Sequence, residues 1–248
     1  MLDGVLVGAV SDVHSPKFYD DFKRVLNNSP DVDLMLLAGD MIYKGRVEEY
    51  EKVIDAIESR LSCRIVACFG NEEYDDKLDD IMARYSKVLW LNDELAEIEL
   101  PNHKLVVVGT KGCLDRPTSW QRKHIPNIAQ LYEQRLKRID ELLQEASKKG
   151  FTILISHYAI TYKTLVGEPK WAWPEMGSAK LEEVIKRRKP PVAIHGHAHN
   201  GKLFHTVIDG VQVYNVSFPA TRKITVIKVL EGEMAPTRQV SLTHFLKR

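Results

Sequence analysis

The sequence predicts an α/β protein built on two β-sheets, and three observations carry that prediction. Short apolar runs rich in Val, Ile and Leu recur along most of the chain, alternating with stretches of helical spacing. Toward the end the runs become closely spaced and two of them flank Asp209-Gly210. No internal repeat, low-complexity tract or Pro/Gly/Ser-rich linker interrupts residues 1–248, which therefore read as a single domain.

Taken in order, the apolar runs cover residues 5–10, 34–38, 65–69, 105–108, 152–155 and 192–194. Continuous apolar runs of this length indicate strands covered on both faces. Helices are expected over 17–28 and 48–61, and the longest over 127–149. There Ile128, Leu131, Leu136, Ile139, Leu142 and Leu143 fall on one stripe, and Gly150 supplies a stop. A further helix spans 178–189 and ends at Pro190-Pro191. Strand alternating with helix implies βαβ units and a largely parallel sheet. Runs 203–208 and 211–216 flank Asp209-Gly210, a hairpin signal, and strands are expected at 224–230 and 237–242. This last portion reads as antiparallel. The segment 158–177 is the least regular, carries Trp171 and Trp173, and reads as a loop that overhangs something.

Composition narrows the class. The chain has 248 residues, 44% hydrophobic and 28% charged, with 35 basic against 34 acidic side chains and a formal charge of +1. That is ordinary for a globular protein and lacks the strong basic excess of a dedicated nucleic-acid binder. No apolar run is long enough to span a bilayer, and the opening Met1-Leu2-Asp3-Gly4 lacks the layout of a secretory signal. Cys63, Cys68 and Cys113 are an odd set without zinc-ribbon spacing, so reduced thiols in a cytoplasmic protein are expected.

The residues at the strand ends carry the chemistry. Asp12-Val13-His14 comes after the first run, Gly39-Asp40 after the second and Gly70-Asn71-Glu72-Glu73 after the third. Ser156-His157 comes after the run at 152–155, and His195-Gly196-His197-Ala198-His199 after the run at 192–194. In open α/β sheets the site lies beyond the carboxyl ends of the strands, so these five loops can converge on one edge. Carboxylate, carboxamide and imidazole donors without thiolate suit Mn, Fe, Zn or Co. So many donors exceed the needs of one ion and fit two, roughly 3.5–4 Å apart with a bridging carboxylate. Each motif alone has an ordinary structural reading as a turn, a cap or a polar loop. Their joint order, each at a strand end, makes chance a poor explanation.

These residues resemble the calcineurin-like metallophosphoesterases, whose pattern is Asp-x-His, Gly-Asp, Gly-Asn-His-Asp/Glu, a lone His, then Gly-His-x-His, each after a strand. The resemblance runs from about Val5 to Ser217. It implies a four-layer fold, a two-sheet sandwich flanked by helices. It also implies that Asp12, His14 and His199 bind one metal, that Asn71, His157 and His197 bind a second, and that Asp40 bridges them. The implied activity is hydrolysis of phosphodiesters, with phosphomonoesters as further substrates, by hydroxide that the metals generate near neutral pH. The partner is then a phosphate-ester small molecule or a nucleotide. Nucleic acid is less favoured and no membrane partner is expected; a non-catalytic scaffold and a nuclease are the rival readings.

One position departs from the pattern. Glu72 stands where the family has a His that protonates the leaving group or steadies the phosphate. A carboxylate there adds negative charge beside an anionic substrate and is a poor acid unless its ordinary pKa of ~4.3 is raised. Glu72 is expected to be ionised and paired with a cation, or to bind a water or metal. Asn71 and Glu72 are thus the candidate catalytic pair. Tyr158, Trp171, Trp173 and Arg116 are candidate substrate contacts, with loop packing and a solvated charged turn as the equal alternatives. His195 is either a satisfied strand-end histidine or a partner of the ligand loop.

Overall fold

The computed structural model describes residues 4–100 and 103–230. Its strands are β1 (Gly4–Val10), β2 (Leu34–Ala38), β3 (Arg64–Cys68), β4 (Leu89–Leu91), β5 (Glu94–Leu100), β6 (His103–Thr110), β7 (Phe151–Ser156), β8 (Val192–His195), β9 (His205–Ile208), β10 (Val211–Asn215) and β11 (Thr225–Leu230). Its helices are α1 (Tyr19–Asn27), α2 (Glu49–Arg60), α3 (Leu78–Arg84), α4 (Ser119–His124), α5 (Ile128–Ala146), α6 (Ala179–Arg188) and α7 (Phe218–Thr221). The strand expected at 237–242 lies outside the described residues.

Two mixed sheets result, ordered β11-β1-β2-β3-β4 and β5-β6-β7-β8-β10-β9. In the first, β1 to β4 run parallel and β11 closes one edge antiparallel. In the second, β6, β7, β8 and β10 run parallel, with β5 and β9 antiparallel at the edges. The expected antiparallel portion is therefore not a unit of its own: β10 joins β8 in parallel, and β11 crosses to the other sheet. The β9–β10 hairpin turns at Asp209-Gly210, both with positive φ (47° and 90°), as the favoured two-residue turn requires.

Alternation along each strand explains the layering. On β1, Val5, Val7 and Ala9 point between the sheets, where they meet Leu34, Leu36, Val107, Ile153, Ile155 and Ile194. Val10 points the other way, into a core shared with Phe22 and Leu26 of α1 and with Tyr50, Val53 and Ile57 of α2. On the far side, Val106, Val108 and Leu154 pack against Ile139, Leu142 and Leu143 of α5 and Leu181 and Ile185 of α6. The order is helix, sheet, sheet, helix.

Besides the short helices α3 and α7, three elements were not expected from the sequence. β4 and β5 are short or glutamate-rich edge strands with weak apolar signal. The third, α4, occupies a stretch that reads as a charged turn. It is nucleated by a capping box in which the Thr118 hydroxyl accepts the Gln121 N–H and the Gln121 amide accepts the Thr118 N–H. Among the described residues no helix is long and apolar enough to cross a membrane.

Candidate metal centre

The five loops do converge. β1, β2 and β3 of one sheet and β7 and β8 of the other all end on the same side. Four of the residues carrying the expected ligands, Asp12, His14, Asp40 and His197, have φ between 45° and 66°. Left-handed backbone at non-glycine residues is costly and persists only where the surroundings enforce it. The glycines beside them allow the close approach. A Cβ on Gly39, itself at φ 80°, would stand 2.6 Å from the Gly70 N. A Cβ on Gly70 would drive into the Asp40 carboxylate and lie 2.8 Å from His157 Nδ1.

Two groups of donors meet there. Asp12, Asp40, His157 and His197 bring ligand atoms within 4.8 Å of one another, and so do Asp12, His14 and His199. Asp12 belongs to both groups. Its Oδ1 lies 2.9 Å from His199 Nε2, while Oδ2 accepts the Ser11 hydroxyl at 2.5 Å and the His197 N–H at 2.9 Å. Asn71 completes the set through Oδ1, 3.0 Å from His157 Nε2.

The hydrogen-bond chemistry shows why this set fits cations. His157 Nδ1 lies 3.0 Å from the Ala38 carbonyl, which can only accept, so the ring proton sits on Nδ1. Its Nε2 therefore presents a lone pair to the Asn71 oxygen and, at 3.4 Å, to Asp40. His14 and His199 face each other through Nε2 at 3.3 Å, and His199 Nε2 also donates to Asp12 Oδ1 at 2.9 Å. The Nδ1 atoms of His14 and His197 are buried without a hydrogen-bond partner. Lone pairs aimed at lone pairs, and buried nitrogens left over, are unfavourable unless a positive ion lies among them.

Electrostatics agree. Burial raises the Asp40 carboxyl well above its usual range, and the charges of Glu73 and Asp12 push the same way. Burial works to raise Asp12 as well, but the hydrogen bond and the charge of His199 lead the effects that outweigh it and hold Asp12 low. Burial pushes His157 down to about 4 and His197 well below its ordinary value, which keeps both neutral and able to ligate.

Supporting residues hold the loops. The fully buried Glu73 accepts the N–H groups of Asp40 (2.8 Å), Met41 (2.9 Å) and Gly70 (2.7 Å) and the Tyr50 hydroxyl (2.7 Å). In sequence Glu73 closes the Gly-Asn-x-Glu stretch, where nothing marks it as a clamp between two loops. Asn215 donates to the Ala198 carbonyl at 3.1 Å, and Glu168 takes the Asn200 N–H at 2.6 Å; both brace the His197–His199 turn. His195 is a satisfied strand-end histidine: Nδ1 donates to the Gly196 carbonyl at 2.8 Å and Nε2 accepts the Thr164 hydroxyl at 2.7 Å. No lone pair is left for a metal.

The other candidate residues fall in different places. The Glu72 carboxylate accepts a backbone N–H, that of Lys44, at 2.6 Å, and its own N–H donates to Asp40 Oδ1 at 2.7 Å. Tyr158 is buried, with its ring 5.0 Å from that of His197. Trp171 is 73% exposed, and the Trp173 indole N–H donates to the Glu168 carbonyl. Arg116 pairs with Glu175 at 3.0 Å and donates to the Trp171 carbonyl at 2.7 Å. Arg116 thus fastens the 158–177 segment to the body, while the Trp173 bond stays within the segment. A cavity of about 940 Å³ opens beside Asn71 and His197 and is lined by Tyr158 and Glu175, but not by Trp171, Trp173 or Arg116.

The calcineurin-like phosphoesterase family model matches residues 5–201. No curated protein matches the chain in sequence. Among solved structures, phosphopantetheinyl hydrolase from Mycobacterium tuberculosis is similar with a TM-score of 0.72 and 16% identity, over 95% of this chain and 100% of that one. A Thermus thermophilus protein is similar with a TM-score of 0.55 and 16% identity, over 91% and 99% of the two chains. A Staphylococcus aureus protein proposed to be a 5′-nucleotidase has a TM-score of 0.59 and 15% identity, over 91% of this chain and 50% of that one. At these identities the likeness is one of fold.

Proposed function

The chain belongs to the calcineurin-like phosphoesterase family, and on that premise we propose that it hydrolyses phosphodiesters with the help of two divalent ions. The observation that carries this reading is the pair of donor groups joined through Asp12. Asp12, His14 and His199 would hold one ion and Asn71, His157 and His197 the other, with Asp40 as the bridging carboxylate. Mn, Fe, Zn or Co suits this oxygen and imidazole set. Bound there, two such ions supply a water activated near neutral pH and positive charge for the phosphoryl oxygens.

The chain's own residues do the rest. The Ala38 carbonyl fixes the tautomer and tilt of His157, and Ser11 with the His197 N–H orients Asp12. Hydrolysis breaks one P–O bond: the OH of water stays on phosphorus and its hydrogen leaves with the alcohol. Asn71 and Glu72 remain the proposed residues nearest this exchange. A Glu72 oxygen that accepts the Lys44 N–H is not placed to donate a proton, which favours diesters with good leaving groups. Phosphomonoesters are the secondary substrates. The shared inter-sheet core supports one catalytic domain, and three free cysteines support a reducing, cytoplasmic setting.

Metal analysis tests the reading. Purified protein should carry close to two divalent ions per chain and hydrolyse bis(p-nitrophenyl) phosphate, and Asp40→Asn should lose most of both. One ion retained equally by both proteins would sink the bridging assignment.

A further inference from the structure

The cavity beside the metal centre is much larger than a phosphate needs. At about 940 Å³ it is the size of pockets that enclose drug-sized ligands. One end is formed by Asn71 and His197, and so opens on the proposed second metal position. A further wall is built by α4 and α5, whose Trp120, Ile128, Leu131 and Tyr132 line the space. Trp120 is 61% and Leu131 44% exposed, so two large apolar side chains stand on this wall in contact with water. Adjacent exposed apolar residues on a concave surface mark a ligand contact more often than a lone one does.

Charge narrows the ligand. Lys111, Arg135 and Arg138 are outnumbered on the lining by Glu73, Asp75, Asp76, Asp93 and Glu175. Lys111 is paired with Asp75 at 2.6 Å and Arg135 with Asp93 at 2.8 Å, while Arg138 donates to the Asp93 carbonyl at 3.3 Å. Two of the three cations that a second phosphate would need are already paired with acids, and the acids outnumber all three. Gln121 and Thr118 on the same wall are neutral and already joined to each other in the α4 cap, with Gln121 also donating to the Tyr158 hydroxyl at 3.2 Å.

We infer that this cavity receives an organic arm of the phosphodiester, and that the arm is bulky, uncharged and largely apolar. Substrates with a second phosphate on that arm, oligonucleotides included, are disfavoured. The inference rests on the phosphodiesterase reading above and specifies its substrate class. Trp120 is then a specificity residue.

The test uses three diesters with one common leaving group: methyl p-nitrophenyl phosphate, phenyl p-nitrophenyl phosphate, and the p-nitrophenyl ester of thymidine 3′,5′-bisphosphate. With metal-loaded protein the phenyl ester should show a KM roughly tenfold below the methyl ester, as expected for burying one aromatic group. The bisphosphate arm should give the highest KM of the three. Trp120→Ala and Leu131→Ser, both at exposed positions, should erase the phenyl advantage and leave the methyl ester unchanged. Calorimetric binding of diphenyl phosphate to the same proteins gives a readout apart from turnover and should weaken in parallel. Equal KM values across the three arms, tighter binding of the bisphosphate, or variants that shift all three substrates alike would overturn the cavity assignment. Absence of metal uptake and of hydrolysis of any diester would instead overturn the phosphodiesterase reading itself.

Discussion

The Tyr50 hydroxyl of α2 donates to Glu73 Oε1 at 2.7 Å beneath the loops that carry Asp40 and Asn71. Glu73 is thereby the joint between a helix, the β2 loop and the β3 loop. Burial raises its carboxyl, and the donors from Tyr50, Gly70, Asp40 and Ile42 work against this. Tyr50→Phe removes one donor and keeps the ring, which packs edge-on to Trp90 at 5.1 Å. It should cost about 1–2 kcal/mol in urea unfolding of metal-free protein and leave metal content intact. Glu73→Gln puts an amide against several N–H groups, so it should cost more and reduce metal content as well. Equal effects of the two would mean that Glu73 is not the joint.

Glu72 sits where a histidine would be expected from the family pattern, and its carboxylate holds the Lys44 turn, whose φ is 51°. Wild-type protein should therefore act on bis(p-nitrophenyl) phosphate at least as well as on p-nitrophenyl phosphate. Glu72→His should raise monoester turnover relative to diester by about tenfold or more, since a positioned acid contributes roughly 10²–10⁴-fold at best. A wild-type protein that already prefers the monoester would show that the carboxylate is not a handicap.

Asp115 fastens the overhanging segment. It accepts the Tyr162 hydroxyl at 2.6 Å, the Ser178 hydroxyl at 2.7 Å and the Ala179 N–H at 2.7 Å, the last at the start of α6. Asp115→Ala should speed amide hydrogen exchange at residues 159 and 176–179 by about tenfold or more, while β2 stays protected. Unchanged exchange at those amides would show that the Arg116–Glu175 pair and the backbone bonds of the segment suffice alone.

Much of this site was legible in the sequence because ligand type and strand position are local signals. Asp12, His14, Asp40, His157, His197 and His199 each come after an apolar run, and strand ends are where an α/β fold builds sites. Glu73 was less legible. Its role depends on which N–H groups lie across two loops, and nothing at position 73 states that. The α4–α5 wall was hidden for a similar reason: Trp120 and the cations near it read equally as a phosphate or base contact and as a solvated turn until the Thr118 cap starts a helix. The sheets were split correctly in number but not in membership, since pairing of β10 with β8 and of β11 with β1 is a tertiary choice. Lys186–Lys189 reads as a helix end stabilised by its dipole, yet Lys186 pairs with Glu182 and Glu183, and both arginines pair with Asp140.

That last pairing gives a pH dependence with a defined sign. Asp140 on α5 accepts Arg188 through both oxygens at 2.7 Å and Arg187 at 2.9 Å, pinning α6 to α5. The Arg188 hydrogen bonds lead in holding its carboxyl down at about 2, with burial opposing and Arg187 adding to the pull, where the ordinary value is 3.8. As pH falls, the unfolded chain takes up this proton before the folded one does. The pair's stabilisation is therefore complete above about pH 4 and is lost as pH drops toward about 2. The Asp140 side chain keeps 21% of its exposure, so screening limits the contribution to about 1 kcal/mol. Asp140→Asn should lower the urea midpoint by a constant amount between pH 8 and 5, and the difference from wild type should shrink below about pH 4. Adding 1 M NaCl should narrow it at every pH. A difference that persists unchanged at pH 3 would mean that Asp140 stabilises the helix pair by packing and neutral hydrogen bonds rather than by its charge.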